Sequence, residues 1–159
     1  MFEYLNNYVY FTIRIQYSYL LHDATHFKIV VILLNLMKLT IKELNHVAIY
    51  VADVEKSIKF YTEILGLKEL PRPAFDFPGA WFQLGMEQEL HLIGIRTEPV
   101  VSGSRSNHFA LEVVDLHAWE DHLIQKNATY RPPKPRPDGI LQIFLQDPDG
   151  YWIELFSRA

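Results

Sequence analysis

The chain repeats itself. His46-Val47-Ala48-Ile49-Tyr50-Val51-Ala52-Asp53 matches His108-Phe109-Ala110-Leu111-Glu112-Val113-Val114-Asp115 at a constant offset of 62 positions. Both blocks alternate with period two, the spacing of a β-strand whose successive side chains face opposite ways. Val47, Ile49 and Val51 share one face of the first strand, as do Phe109, Leu111 and Val113 of the second. His46, Ala48 and Tyr50 face the other way, as do His108, Ala110 and Glu112. Each strand ends at an Asp suited to cap a helix, since its carboxylate can accept from the free amides of a first helical turn. Helical stripes follow: Val54, Ile58, Tyr61 and Leu65, then Leu116, Trp119, Leu123 and Ile124. Gly66 and Asn127 are placed to end them, being residue types that tolerate a left-handed backbone.

The second half of each block is strand-like as well. Trp81–Gly85 precedes Glu89–Ile95, and Ile143–Gln146 precedes Tyr151–Phe156. Asp147-Pro148-Asp149-Gly150 reads as a tight turn. Proline-rich stretches, Pro71–Pro78 and Arg131–Asp138, read as loops after each helix, and Thr97–Asn107 links the halves. The expected fold class is α+β. Two βαβββ modules in tandem form an open, barrel-like mixed sheet with helices on the convex face. Module one spans about 44–96 and module two about 106–157.

Composition narrows the function. The chain has 159 residues, a formal net charge of -4 and no cysteine. It lacks the basic stripe of a nucleic-acid binder. Without thiols it can have neither disulfides nor thiolate metal ligands, which fits a cytoplasmic location. Residues 1–36 are rich in Tyr, Phe, Ile and Leu, but Lys28 and Asn35 interrupt the apolar run Ile29–Leu34 well short of the ~20 residues a membrane span needs. They are read as an extension outside the domain, with Met37 as the expected true start and the domain over 37–159.

Chemistry concentrates on the face turned away from the helices. His46 and His108 occupy equivalent first-strand positions, and Glu154 lies on the last strand between Trp152 and Phe156. A carboxylate on an inner apolar face is costly unless something compensates it. His91 stands almost in the place of Glu154, one module earlier. Seven of 159 residues are His, so two equivalent positions are both His by accident on the order of 0.2% of the time. Imidazole and carboxylate are the usual ligands of zinc, iron, nickel, cobalt or manganese where thiols are absent, and two His with one carboxylate leave positions open for substrate. The expected metal set is His46, His108 and Glu154, with His91 as a fourth ligand or a nearby base. A structural reading, in which an imidazole merely hydrogen-bonds in the core, fits one site better than all of them. His117 and His122 are read as solvated on the outer side of their helix.

The segments HVAIYVADVEKSIKFYTEILGL, HFALEVVD and DPDGYWIELF resemble the vicinal oxygen chelate superfamily, which includes glyoxalases, fosfomycin- and bleomycin-resistance proteins and extradiol dioxygenases. The likeness covers about Leu44 to Ser157. It implies paired βαβββ modules around one divalent metal ion (Zn, Ni, Co, Mn or Fe) held by His46, His108 and Glu154, usually in a homodimer. Glyoxalase I-like members carry Glu or Gln where this chain has His91, so a proton-shuttling role for His91 is a departure. The expected function is a metal-dependent glyoxalase-like enzyme of lyase, isomerase or thiol-addition type. It would act on a small oxygen-chelating substrate, with His91 and Glu154 moving the proton. Tyr50, Glu112, Trp152 and Arg136 are candidate substrate contacts, and Arg131 and Lys134 offer further cations. The alternatives are an Fe(II) extradiol-type dioxygenase and a metal-free protein that sequesters a small molecule.

Overall fold

The computed structural model describes residues 28–29, 31–33, 39, 41–100 and 105–158. Contacts divide the chain into 1–43 and 44–159. Most of the expected extension, including Met37, lies outside the described residues. Among the described residues no helix is long and apolar enough to cross a membrane.

Residues 44–159 carry the two modules. The first contains β1 (His46–Tyr50), α1 (Val54–Glu63), β2 (Glu69–Leu70), β3 (Gly79–Gln83) and β4 (Glu89–Ile93). The second contains β5 (His108–Glu112), α2 (Leu116–Gln125), β6 (Tyr130–Pro135), β7 (Leu141–Gln146) and β8 (Trp152–Phe156). The fold is α+β with two mixed sheets, ordered β1-β4-β3-β2 and β5-β8-β7-β6. In each sheet the first and last strands of the module pair in parallel and the remaining pairs are antiparallel. The barrel is not closed: β1 and β5 each lie at an edge of their own sheet.

The caps work as their residue types require. Asp53 accepts from the Lys56 amide at 3.0 Å, and Asp115 accepts from the amides of His117 and Ala118. Gly66 and Asn127 take φ values of 64° and 51°, where a left-handed turn lets Leu67 and Ala128 return amides to helix carbonyls. The helix-facing sides of the strands merge into one core, with Ile49, Phe82 and Leu92 from module one and Leu123, Ile153 and Leu155 from module two.

Three expectations change. Tyr130–Pro135 is a strand, although its prolines suggested a loop. It is an edge strand, and its pairing with β7 shifts register between Arg131 and Lys134, across Pro132 and Pro133, which have no amide to donate. Ile124 is 57% exposed, because the step from Leu123 turns it off the buried stripe. His122 is half-buried rather than solvated: its Nε2 meets the Ile64 carbonyl at 3.0 Å, so α2 touches the end of α1.

A polar latch joins the modules. In the turn between β7 and β8, Asp149 accepts from the Ala52 amide at 2.9 Å, the Ser57 hydroxyl at 3.2 Å and the Arg96 guanidinium. Asp147 accepts from the Tyr61 hydroxyl at 2.8 Å and from the amides of Asp149 and Tyr151. Ser57 and Tyr61 are fully buried on α1, so module one offers donors where module two brings carboxylates.

Candidate metal centre

Strand register places the four sequence-identified donors in two similar settings. On the first sheet His91 lies between Ala48 of β1 and Trp81 of β3. On the second, Glu154 lies between Ala110 of β5 and Phe144 of β7. A small residue on one side and an aromatic wall on the other therefore frame both donors. His46 and His108 sit two residues before the alanines, on the same faces. Period-two alternation in the sequence places Ala48 and Ala110 on the donor face but does not place Trp81 and Phe144 beside the donors; these two stand 63 residues apart, as His91 and Glu154 do.

On the second sheet, His108 Nδ1 lies 2.7 Å from the Arg105 carbonyl. A carbonyl only accepts, so Nδ1 carries a proton, and in the neutral ring Nε2 then presents a lone pair. That lone pair faces Glu154 Oε2 at 2.8 Å. Two acceptors at this distance repel unless a proton or a cation lies between them. Glu154 is 5% exposed and its other oxygen, Oε1, is buried without a hydrogen bond. Arg136 Nη1 stands 3.9 Å from that oxygen, while Nη2 of the same guanidinium bonds Asp138 at 2.6 Å. That bond from Arg136 holds the Asp138 carboxyl below its ordinary value.

On the first sheet, His46 Nδ1 meets the Asn45 side-chain oxygen at 2.9 Å, leaving Nε2 as the free nitrogen. His91 Nε2 meets Glu89 Oε2 at 2.7 Å, leaving Nδ1. The His91 ring is stacked between Trp81, centroid 4.2 Å away, and His46, 4.4 Å away with planes 15° apart. An imidazole binds an ion within its own ring plane. Two stacked, nearly parallel rings cannot both direct a lone pair at the same ion.

The structure thus brings together His46 with His91, and His108 with Glu154. Among the described residues no three His, Asp or Glu gather as a metal-holding group. The donor chemistry nevertheless fits a divalent ion, in the orphaned oxygen of Glu154 and the contact of its other oxygen with His108 Nε2. Of the expected substrate contacts, Trp152 is opposite His108 in register, and Arg131 lies over its ring at 4.5 Å. Tyr50 borders a cavity of about 420 Å³ together with Arg96 and Tyr151. Glu112 is exposed and pairs with Arg158 at 3.5 Å. Arg105, Arg131 and Lys134 line a cavity of about 170 Å³ against Phe144.

Known proteins resemble this chain over the same region. The sequence profile of the Glyoxalase/Bleomycin resistance protein/Dioxygenase superfamily matches residues 43–155. A "Probable lactoylglutathione lyase" of Synechocystis is 36% identical over 125 residues, covering 73% of this chain and 95% of its own. A glyoxylase/bleomycin resistance protein/dioxygenase domain from Frankia superposes with a TM-score of 0.64 at 23% identity, over 76% of this chain and all of its own. The fosfomycin resistance protein FosX of Listeria monocytogenes does so with a TM-score of 0.60 at 19% identity, over 76% of this chain and 96% of its own. At these identities the two structures speak for the fold alone.

Proposed function

Because the chain belongs to the glyoxalase/bleomycin resistance protein/dioxygenase superfamily, we propose that it is a metal-dependent lyase or isomerase of the lactoylglutathione lyase kind. Its substrate would be a small thiol–aldehyde adduct with two neighbouring oxygens. The observation that carries this reading is the His108–Glu154 pair, Nε2 and Oε2 2.8 Å apart beside an orphaned carboxylate oxygen. His46, through Nε2, would complete the ligand set. When bound, the metal supplies Lewis acidity that stabilises negative charge developing on a substrate oxygen.

His91 takes a different role from His46. Glu89 holds its Nε2 proton and Trp81 fixes the ring, so Nδ1 is a positioned proton acceptor. Trp152 and Phe144 wall the second half of the site, Arg136 beside Glu154 offers a charge for an anionic part of the substrate, and Tyr50 lies farther along the first sheet's open face.

The working unit is a homodimer. One chain presents His46 and His91 on one sheet, and His108 and Glu154 on another. Edge strands β1 and β5 present unpaired backbone groups that suit pairing with a second copy. Module one of one copy beside module two of the other would unite the halves.

Metal content of purified variants tests both statements. His46→Ala and His108→Ala should each lose most bound metal while remaining folded. A heterodimer of the two variants should recover one occupied site, because the intact module of each chain then meets the other. Unchanged metal in both single variants refutes the donor assignment. Loss in both without recovery in the verified heterodimer refutes assembly across copies and leaves the donors standing.

A further inference from the structure

A cavity of about 500 Å³ opens between the modules. Lys56 and Phe60 of α1 form one side, and Lys126, Tyr130, Arg131 and Trp152 of module two form the other. Its charge is one-sided. Lys56, Lys126 and Arg131 are exposed, and among the described residues none of them forms an ion pair. Among the described residues, Asp147 is the only carboxylate in the lining. Its oxygens are taken by the Tyr61 hydroxyl and by the amides of Asp149 and Tyr151. A chain of net charge -4 therefore gathers three uncompensated cations around one opening. Like charges so placed repel one another, and a bound anion relieves that repulsion.

The walls add a second requirement. Phe60 and Tyr130 supply ring surface, and the Arg131 guanidinium lies over the Trp152 indole at 4.5 Å. Arg stacked on Trp makes a flat, cationic platform suited to another flat ring. The volume falls within the range of small-molecule sites, roughly 300–1,000 Å³. We propose that this cavity binds a small anion carried on a flat apolar body, an aryl phosphate or aryl carboxylate. The phosphate or carboxylate sits between Lys56 and Lys126, and the ring lies against the Arg131–Trp152 platform. The cavity shares Phe144 and Trp152 with the donor face, but its cations, Lys56, Lys126 and Arg131, are not among the metal donors, and the proposal does not depend on the enzymatic reading.

Calorimetric titration of the full chain with 1-naphthyl phosphate, 1-naphthol and inorganic phosphate tests it. The lysines are on the surface, so Lys56→Gln with Lys126→Gln leaves the core untouched. Naphthyl phosphate should bind more tightly than either part alone and weaken about tenfold or more in the double variant, most strongly at low salt. Naphthol binding should not change. Equal affinity for naphthyl phosphate in wild type and double variant overturns the proposal, as does absence of binding to wild type. Glu154→Gln should bind naphthyl phosphate as wild type does. If binding is lost in that variant and kept in the lysine variant, the ligand sits on the donor face and the assignment fails.

Discussion

Replacing Tyr61 by Phe isolates the polar latch between the modules. The Tyr61 ring is fully buried, and its hydroxyl donates to Asp147 Oδ2 at 2.8 Å. Phe keeps the ring and its packing against Phe60 and Phe82 and removes one donor. Asp147 is 5% exposed, so water does not freely replace that donor. A hydrogen bond to a charged group contributes about 1.5–3 kcal/mol, and an unsatisfied buried acceptor carries the full cost of its lost hydration. We expect Tyr61→Phe to lower unfolding free energy by about 2 kcal/mol, or about 5–10 °C in Tm for a domain of this size. Urea unfolding followed by circular dichroism measures it. The cost should depend on pH with a definite sign. Burial pushes the Asp147 carboxyl above its ordinary value, while the Tyr61 hydroxyl pulls it down. Phe therefore raises it further. A carboxyl raised on folding contributes stability at low pH that is lost as pH rises through the folded value. The variant's deficit should thus be full at neutral pH and shrink as Asp147 is protonated near the acid limb of unfolding. A deficit below about 0.5 kcal/mol at neutral pH, or one that grows on acidification, would refute the ion–dipole account of the latch.

Two glycines separate backbone strain from steric exclusion. Gly66 has φ 64° and open space where a Cβ would stand, so Gly66→Ala should cost about 1–2 kcal/mol through the left-handed dihedral alone. Gly79 carries no such dihedral, but a Cβ there would lie 2.2 Å from the Leu92 carbonyl oxygen. Gly79→Ala should cost about 1–3 kcal/mol by forcing β3 from β4, with slowed hydrogen exchange lost across that pair while α1 amides stay protected; equal protection in both elements would count against it.

The sequence made the modules legible because the repeat imposes the same physical problem twice. Asp53 and Asp115 cap, Gly66 and Asn127 reverse the chain, and period-two alternation separates the helix-facing side from the donor face. Such features are local, and a window of a few residues contains their cause. Strand β6 was harder to read. Its prolines are poor central-strand residues, and only its position at the sheet edge makes them acceptable. His122 was misread for a related reason: its partner, the Ile64 carbonyl, lies across the module boundary. The four donors were visible as residue types at repeat positions. Their division into two pairs was not, because it depends on how sheets meet rather than on the pattern within either one.

The places where the repeat breaks are the most informative. Ser57 and Tyr61 lie on the core-facing stripe of α1, where Trp119 and Leu123 stand in α2. Two buried hydroxyls on an otherwise apolar stripe require partners that module one does not contain. Asp149 and Asp147 of module two supply them. The corresponding β3–β4 turn of module one has Gly85 and Glu87 in their places, and Val114, which stands where Ala52 receives Asp149, is fully exposed. The latch therefore runs in one direction and sets the two halves apart. His91 opposite Glu154 is the same kind of break on the other face: with one imidazole backed by Glu89 and one carboxylate left with a bare oxygen, the two modules offer different chemistry from equivalent positions. A symmetric pair of modules would offer the same donors twice. The imidazole of one half and the carboxylate of the other are the residue types that the proposed reaction would use as proton acceptor and anionic ligand.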